Sequence, residues 1–367
     1  MMSVAVLRPR SRRARRRVRA RTSLAALAAT APLALAAPAA ADDPAGEARI
    51  GLPMRTLFVT RPPQVRLAEA DIVVTPTEVR GRYVFRNEAG RDLGAIAAFA
   101  APDLDASAPR FGYTAVPASE SLNFMDFSAT VDGRPVTPLG AHQAYGAGPE
   151  RTHLLEDFQI PAQPAASATW KALQELKPSA VNDLYVAGLV DMEQAGDRLE
   201  VRPRWLLRSV WYWPQAFPAG RETVIAWRHR VSAAAAARPL PPAGETAPRH
   251  ARHCAGAAAK TVADAARRNG PGRDWMREQT LRLQLLAGPA WAGPADVFTV
   301  TIDGGDSGFV AASCLPGLEP AGPAQWRARR ENAPVDGLLE VMFLAPGHVA
   351  SDGAPPDEAD ADAAGAE

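Results

Sequence analysis

Two segments of the chain alternate apolar and polar positions with a period of two. Val65 to Val74 and Glu78 to Asn87 are rich in β-branched and aromatic residues. In the second, Val79, Tyr83 and Phe85 fall on one face and Arg80 and Arg82 on the other, which marks a half-buried strand. Asn87-Glu88-Ala89-Gly90 is turn chemistry, and Leu93 to Phe99 reads as the returning strand, ended by Ala101-Pro102-Asp103. Leu122 to Val131 is a further expected strand, with Asp132-Gly133 supplying a tight turn into Val136.

The period changes between residues 162 and 194. Ala172, Leu173, Leu176, Leu184, Val186, Leu189 and Val190 recur at mostly helical spacing, and Lys177-Pro178 divides the segment into two short helices. Strands resume at Leu199. Trp205 to Trp213 and Thr223 to Val231 flank Pro214, Pro218 and Gly220 and read as a hairpin. Ser232 to Lys260 is rich in Ala and Pro and reads as a loop with weak helix. Thr280 to Leu286, Val297 to Ile302, Phe309 to Ser313 and Leu338 to Leu344 are the later expected strands. Many short strands with turn signals imply a mainly β protein with β-sandwich-like layers and a short helical insert, α+β overall. The expected organisation is a signal peptide at 1–41, an N-terminal β-rich domain at 42–161, the helical insert at 162–194, a C-terminal β-rich region at 195–347 and a disordered acidic tail at 348–367.

Charge sharpens the two ends. The first 41 residues hold nine Arg and no acid: a basic run from Arg8 to Arg21 is followed by an uncharged Leu/Ala stretch from Ser23 to Ala37 and then Ala39-Ala40-Ala41. A positive segment, a short apolar segment and small residues at −3 and −1 form the secretory signal pattern, with cleavage expected after Ala41. Arg12-Arg13 hints at twin-arginine export, but Arg15 and Arg16 stand where hydrophobic residues should follow, so general secretion is favoured. The apolar stretch is too short for a lasting transmembrane helix, and no other segment is long and apolar enough to span a bilayer. From Val349 to Glu367 there are six acids and no Lys or Arg. Of the whole chain's 41 bases and 40 acids, 32 bases remain after the first segment, a balance of −8 of which −6 lies in the tail. The body is therefore near neutral and carries no bias toward nucleic acid.

Candidate chemistry is sparse. Cys254 and Cys314 are the only cysteines, and an even count in an exported chain argues for one disulfide. A metal site from His250, His253, Cys254 and Cys314 is the sharper alternative, weakened because adjacent His253 and Cys254 cannot easily chelate one ion; free thiols are the third. Asp303-Gly304-Gly305-Asp306-Ser307-Gly308 looks like a calcium or phosphate loop, yet it lacks EF-hand spacing and a P-loop Lys, so a turn is expected. There is no G-x-S-x-G elbow, H-E-x-x-H or G-x-G-x-x-G. None of the six His sits in a triad-like arrangement. His153 with Glu156 and Asp157 could form an acid–base cluster, or simply a polar loop before the insert. No catalytic, cofactor-binding or metal residue is assigned.

Tyr83-Val84-Phe85-Arg86-Asn87 and Phe99-Ala100-Ala101-Pro102-Asp103 resemble the opening of a secreted bacterial family, catalogued as domain of unknown function 4424. Tyr212-Trp213-Pro214-Gln215-Ala216-Phe217-Pro218-Ala219-Gly220 resembles its aromatic-Trp-x-Gln-x-Phe-Pro-Ala-Gly block. Trp291-Ala292-Gly293-Pro294 with Asp296 and Phe298 resembles its Trp-x-Gly-Pro block. Cys254 and Cys314 fall where the family places its cysteine pair. The resemblance covers roughly residues 50–345 and implies location and architecture, but no activity. A Gly-rich opening is reduced here to Ile50-Gly51-Leu52, and a His-x-Tyr step becomes Arg228-His229-Arg230.

The resulting expectation is a periplasmic or secreted cell-envelope protein that is not an enzyme and has no cofactor. It acts as a binding or structural module for an envelope ligand or protein partner, with no role for nucleic acid. The alternative is an envelope hydrolase whose acid–base pair lies on loops. The Trp segment frames the choice. Trp205, Leu207, Ser209, Trp211 and Trp213 share one face, while Arg208 and Tyr212 point the other way. That row is expected to pack into the core, because an exposed row of three Trp would be a large apolar patch. An exposed row would instead be a ligand surface.

Overall fold

The structure is a computed structural model that describes residues 49–60, 64–196, 198–268, 275–285, 294–305 and 308–347. The expected signal segment at 1–41 and acidic tail at 348–367 lie outside the described residues, as do Trp291 to Gly293.

Three sheets carry the fold. Sheet I has eight strands in the order Glu319–Gly322, Gln325–Ala333, Ala295–Asp303, Val65–Val74, Glu78–Asn87, Glu222–Arg230, Ser128–Val131 and Arg134–Pro135. Sheet II places Leu206–Phe217 between Leu93–Ala100 and Leu139–Tyr145, with Phe58–Val59 and Leu104–Asp105 as short additions. Sheet III pairs Trp275–Leu285 with Gly337–Gly347, flanked by Ala234–Pro239, Met54–Arg55 and Val310–Ala312. A two-stranded hairpin, Val190–Ala195 with Arg198–Pro203, stands apart. The mainly β expectation is met.

Sheets I and II face each other. Phe85 of sheet I meets Phe217 of sheet II at 5.3 Å between ring centroids, and Phe99 of sheet II meets His229 of sheet I at 5.1 Å. Alternation delivers this. Val79, Tyr83 and Phe85 are fully buried while Arg80 and Arg82 are exposed. Strand Val65–Val74 keeps the same face only through a bulge between Leu67 and Glu69, so the buried positions run Val65 and Leu67, then Ala70, Ile72 and Val74.

Two expected hairpins are not hairpins. Leu93–Ala100 does not return beside Glu78–Asn87, but crosses to sheet II. Likewise Leu206–Phe217 belongs to sheet II and Glu222–Arg230 to sheet I, so the turn at Gly220 (φ +63°) bridges the layers. Local turn residues fix where a chain reverses; which edges are free fixes what it pairs with. Both crossings meet at one side chain. Buried Asn87 donates through Nδ2 to the carbonyls of Phe217 (2.7 Å) and Arg91 (2.9 Å), and its Oδ1 accepts from the amide of Ala89 (2.9 Å).

Other boundaries also move. The strand expected from Leu122 begins at Ser128, because Asn123 closes residues 123–127 into a loop by bonding both the amide and the carbonyl of Phe127. The Asp132-Gly133 turn forms as expected, with both φ values positive and Val131 opposite Arg134. Helix α1 covers Thr152–Asp157, where a polar loop was the expectation. The insert holds helices α2 (Ser167–Gln174) and α3 (Pro178–Val186), divided at Lys177-Pro178, but its last residues already form strand Val190–Ala195. The loop expected from Ser232 to Lys260 contains strand Ala234–Pro239, helix α4 (Pro248–Arg252) and the start of helix α5 (Gly256–Arg268). Helix α5 buries Ala259, Val262, Ala263 and Ala266, a helical stripe that small side chains make faint in the sequence. Packing also runs across the segments set at 42–161 and 195–347, since sheets I and II each draw strands from both.

Candidate functional site

The candidate residues fall into three groups, two of them singled out by the sequence. The first is structural. Trp205 and Trp213 are buried, with Trp205 Nε1 donating to the carbonyl of Ala162 (2.8 Å) and Trp213 Nε1 to Gln215 Oε1 (3.0 Å). Trp211 is only half-buried. Phe99 stacks on Phe127 at 4.3 Å, and His229 lies over Trp227 at 5.7 Å, so the Trp face packs into the core as expected. His229 is buried in this aromatic column. Its Nδ1 donates to the carbonyl of Arg230 (2.8 Å), and burial pushes its pKa down to about 4. Asn87, Phe99 and Trp213, from the described blocks that carry the family resemblance, therefore stitch the two layers rather than line a cleft.

The second group comprises titratable contacts. Cys254 and Cys314 are joined as a disulfide, which removes the metal and free-thiol alternatives. Among the described residues no three metal-ligating side chains converge. His250 turns away toward Glu278, with Nε2 2.8 Å from Oε1. Both residues are buried, and Arg249 bonds both Glu278 oxygens at 2.7–2.9 Å while Arg238 approaches at 3.3 Å. Burial pushes the Glu278 carboxyl up, but hydrogen bonds from His250 and Arg249 and the arginine charge bring it below the ordinary glutamate range. With every oxygen engaged, this carboxylate has no free lone pair for proton abstraction. His142 Nδ1 lies 3.0 Å from fully buried Ser209 Oγ, and burial lowers its pKa. His153, Glu156 and Asp157 share one face of α1, all exposed, and no hydrogen bond or ion pair joins them among the described residues. Asp303 accepts from the Gly305 amide (2.8 Å) and from Gln325 (2.8 Å), a turn in line with expectation; Asp306 and Ser307 lie outside the described residues.

The third group was not found from the sequence. A two-lobed cleft lies between the loop before Thr114, helix α2 and the Val190–Pro203 hairpin. One lobe, about 360 Å³, is lined by Arg49, Phe111, Tyr113, Ser119 and Trp170; the other, about 560 Å³, by Ser107, Phe111, Trp170, Met192, Arg202 and Arg204. Phe111 and Trp170 belong to both lobes. Trp170 is half-buried and its indole is fixed by Nε1 donating to the carbonyl of Pro164 (3.0 Å). Tyr113 is 47% exposed, with the Arg110 guanidinium 5.2 Å from its ring centroid. The polar rim is largely self-paired, Arg202 with Glu193 and Glu200, and Arg204 with Asp191 at 3.7 Å. Such a cleft offers flat apolar platforms with polar groups around them, which suits a ligand with a stackable face. A shallower trough of about 470 Å³ on the outer face of sheet I runs past Arg80, Arg82 and Arg228, but Glu69, Asp71 and Glu78 already neutralise those arginines. No signal marked the cleft in the sequence, because Phe111 and Trp170 sit 59 residues apart on segments without strand periodicity.

Comparison with known proteins adds location in family space. No curated protein matches the sequence. Among solved structures, a candidate nutrient-binding protein of Legionella pneumophila subsp. pneumophila str. Philadelphia 1 is similar over 81% of this chain and 72% of its own, at 10% identity and a TM-score of 0.42. That similarity is too distant to carry a conclusion about site or ligand. The family described as Domain of unknown function (DUF4424) matches residues 45–341, spanning the blocks built on Asn87 and Trp213, and the chain belongs to that family.

Proposed function

We propose that the protein is a non-catalytic binding module of the cell envelope, exported through its N-terminal segment and taking its ligand in the cleft around Trp170. The observation that carries this reading is the pair of aromatic walls, Phe111 and Trp170, shared by two adjoining lobes. A fixed indole beside an exposed tyrosine supplies stacking area at little conformational cost. Export is supported by the Cys254–Cys314 disulfide, which suits an oxidising compartment, and by the charge pattern of residues 1–41. No helix among the described residues is long and apolar enough to cross a membrane.

The hydrolase reading rests on the His250–Glu278 contact and is the weaker one, because that carboxylate is saturated by arginine. Mass spectrometry of what co-purifies with the protein from its own envelope, followed by tryptophan-fluorescence titration of the compound found, tests the binding reading. Saturable quenching that is lost in Trp170→Ala supports it. A compound that binds wild type and Trp170→Ala equally well places the ligand elsewhere and sinks it. N-terminal sequencing of the envelope form checks export, with Asp42 as the expected first residue.

A further inference from the structure

The covalent bridge between Cys254 and Cys314 sits in unusual surroundings for a structural disulfide. Both cysteines are exposed. Exposed disulfides are the ones that exchange with external thiols, while sealed ones resist. Cys254 has a φ of +55°, in the left-handed region that non-glycine residues rarely occupy. The segment it anchors is also held twice over without it. Arg249 and His250 clamp Glu278, and Ala255, Ala259 and Val262 pack on Met276, Met342 and Leu344 of sheet III.

The two sulfurs differ in what surrounds them. A cavity of about 180 Å³ borders Cys314, with Arg252, His253, Leu315, Leu339 and Glu340 in its wall. A thiol entering it meets apolar carbon for its chain and a guanidinium for any carboxylate it carries. Cys254 lies two residues before Gly256, the first residue of helix α5, whose first turn opens with the Ala259 amide donating to the carbonyl of Ala255 (2.8 Å). The positive end of a 13-residue helix favours a thiolate there. One sulfur is placed to be attacked and the other to leave.

We propose that Cys254–Cys314 is a thiol-exchange site whose substrate is an external dithiol. The donor's thiolate attacks Cys314 Sγ. The Sγ–Sγ bond breaks, and its electron pair goes to Cys254, which takes up a proton from water. The donor's second thiol then displaces Cys314 from the mixed disulfide. The donor leaves as a disulfide, two electrons oxidised, and the protein holds two thiols.

A monothiol stops the sequence at its first step. The full-length exported protein is incubated briefly with reduced glutathione under native conditions, quenched with iodoacetamide and mapped by mass spectrometry. Glutathione on Cys314 with carbamidomethyl on Cys254 is expected to exceed the reverse pattern by about tenfold. The protein reduced with dithiothreitol is expected to keep a cooperative thermal transition. Either of two adduct results overturns the proposal: no adduct until denaturant is added, or an even or reversed distribution between the two sulfurs. Loss of the folded transition on reduction overturns it as well, because the bridge would then be a structural staple.

Discussion

The interface between sheets I and II and the edge where sheet III meets helices α4 and α5 are held by different forces. The first is an aromatic column, Trp213, Phe127, Phe99, His229 and Trp227, with the Asn87 amide tying the two layers together beside Phe217. The second has a thin layer of alanine and methionine, supplemented by three charged or ionisable groups around Glu278 and bridged by one disulfide. Large rings bury enough area that no further fastening is needed. Where the helix presents only Ala and Val, burial is small per residue, and the charge cluster around Glu278 makes up the difference. The difference predicts where each region breaks.

The largest effect is expected for Phe99→Ala. Phe99 is fully buried between Phe127 and His229, so its removal leaves a cavity that flat neighbours fill poorly. The cost should be about 4 kcal/mol in equilibrium urea denaturation. Trp211→Ala, by contrast, should cost clearly less, because Trp211, on the central strand of the same sheet, is only half-buried. Equal losses would mean that the column is not the core of the sandwich.

Next comes Glu278→Ala, at about 3 kcal/mol, the low end for breaking a buried charge cluster. His250 would remain sealed without its partner, while Arg249 and Arg238, each about 30% exposed, can reach water. Glu278→Gln should recover part of the loss by keeping the hydrogen-bond acceptor. If Glu278→Ala matches Phe99→Ala, the charged edge is as tightly built as the aromatic core, and the contrast fails.

The same two regions were unequally legible from sequence. Strands Val65–Val74 and Glu78–Asn87 were readable to the residue, because each alternates large apolar and charged side chains. Strand Ala234–Pro239 and helix α5 were not, because alanine carries little hydrophobic signal at either period. The turn at Gly220 is visible in the sequence, yet its layer-to-layer crossing is not, since the two flanking strands each pair with a strand more than a hundred residues earlier, Leu93–Ala100 and Glu78–Asn87. The disulfide is the pairing that an even cysteine count in an exported chain favours, while the metal and free-thiol alternatives need the structure to be removed. The cleft at Trp170 depends on three distant segments converging, which no linear spacing records.

Acid separates the regions by pH window. The folded pKa of His229 is pushed down to about 4 from 6.5, so its stabilising preference for the neutral ring is fully present above 6.5. That contribution is lost as pH falls from 6.5 toward 4, amounting to about 3 kcal/mol over the window. The folded pKa of Glu278 is lowered from 4.5, so its contribution is present above 4.5 and fades only below it. Urea midpoints between pH 7 and pH 4 should therefore fall in wild type and fall less in His229→Phe. A Glu278→Gln variant should keep the wild-type slope in that range. An unchanged slope in His229→Phe would show that the column is not what acid attacks first.

The smallest effect on stability, and the largest on function, is expected for Trp170→Ala. Trp170 is half-buried beside the buried stripe of α2, and the helix is anchored independently of it through buried Leu173 and Thr169. Thr169 Oγ1 donates to the carbonyl of Gln163 (2.6 Å), which keeps the α2 start in place when the indole is gone. Denaturation should show a loss of about 1 kcal/mol, in the range of an ordinary partly exposed substitution. Ligand affinity, read by titration with the co-purified compound, should drop at least about tenfold, the worth of one good stacking contact. Trp170 thus differs from Trp205 and Trp213, whose indoles are buried and whose removal should be felt by the fold. A large stability loss with unchanged affinity would make Trp170 one more core tryptophan and leave the cleft without its central wall.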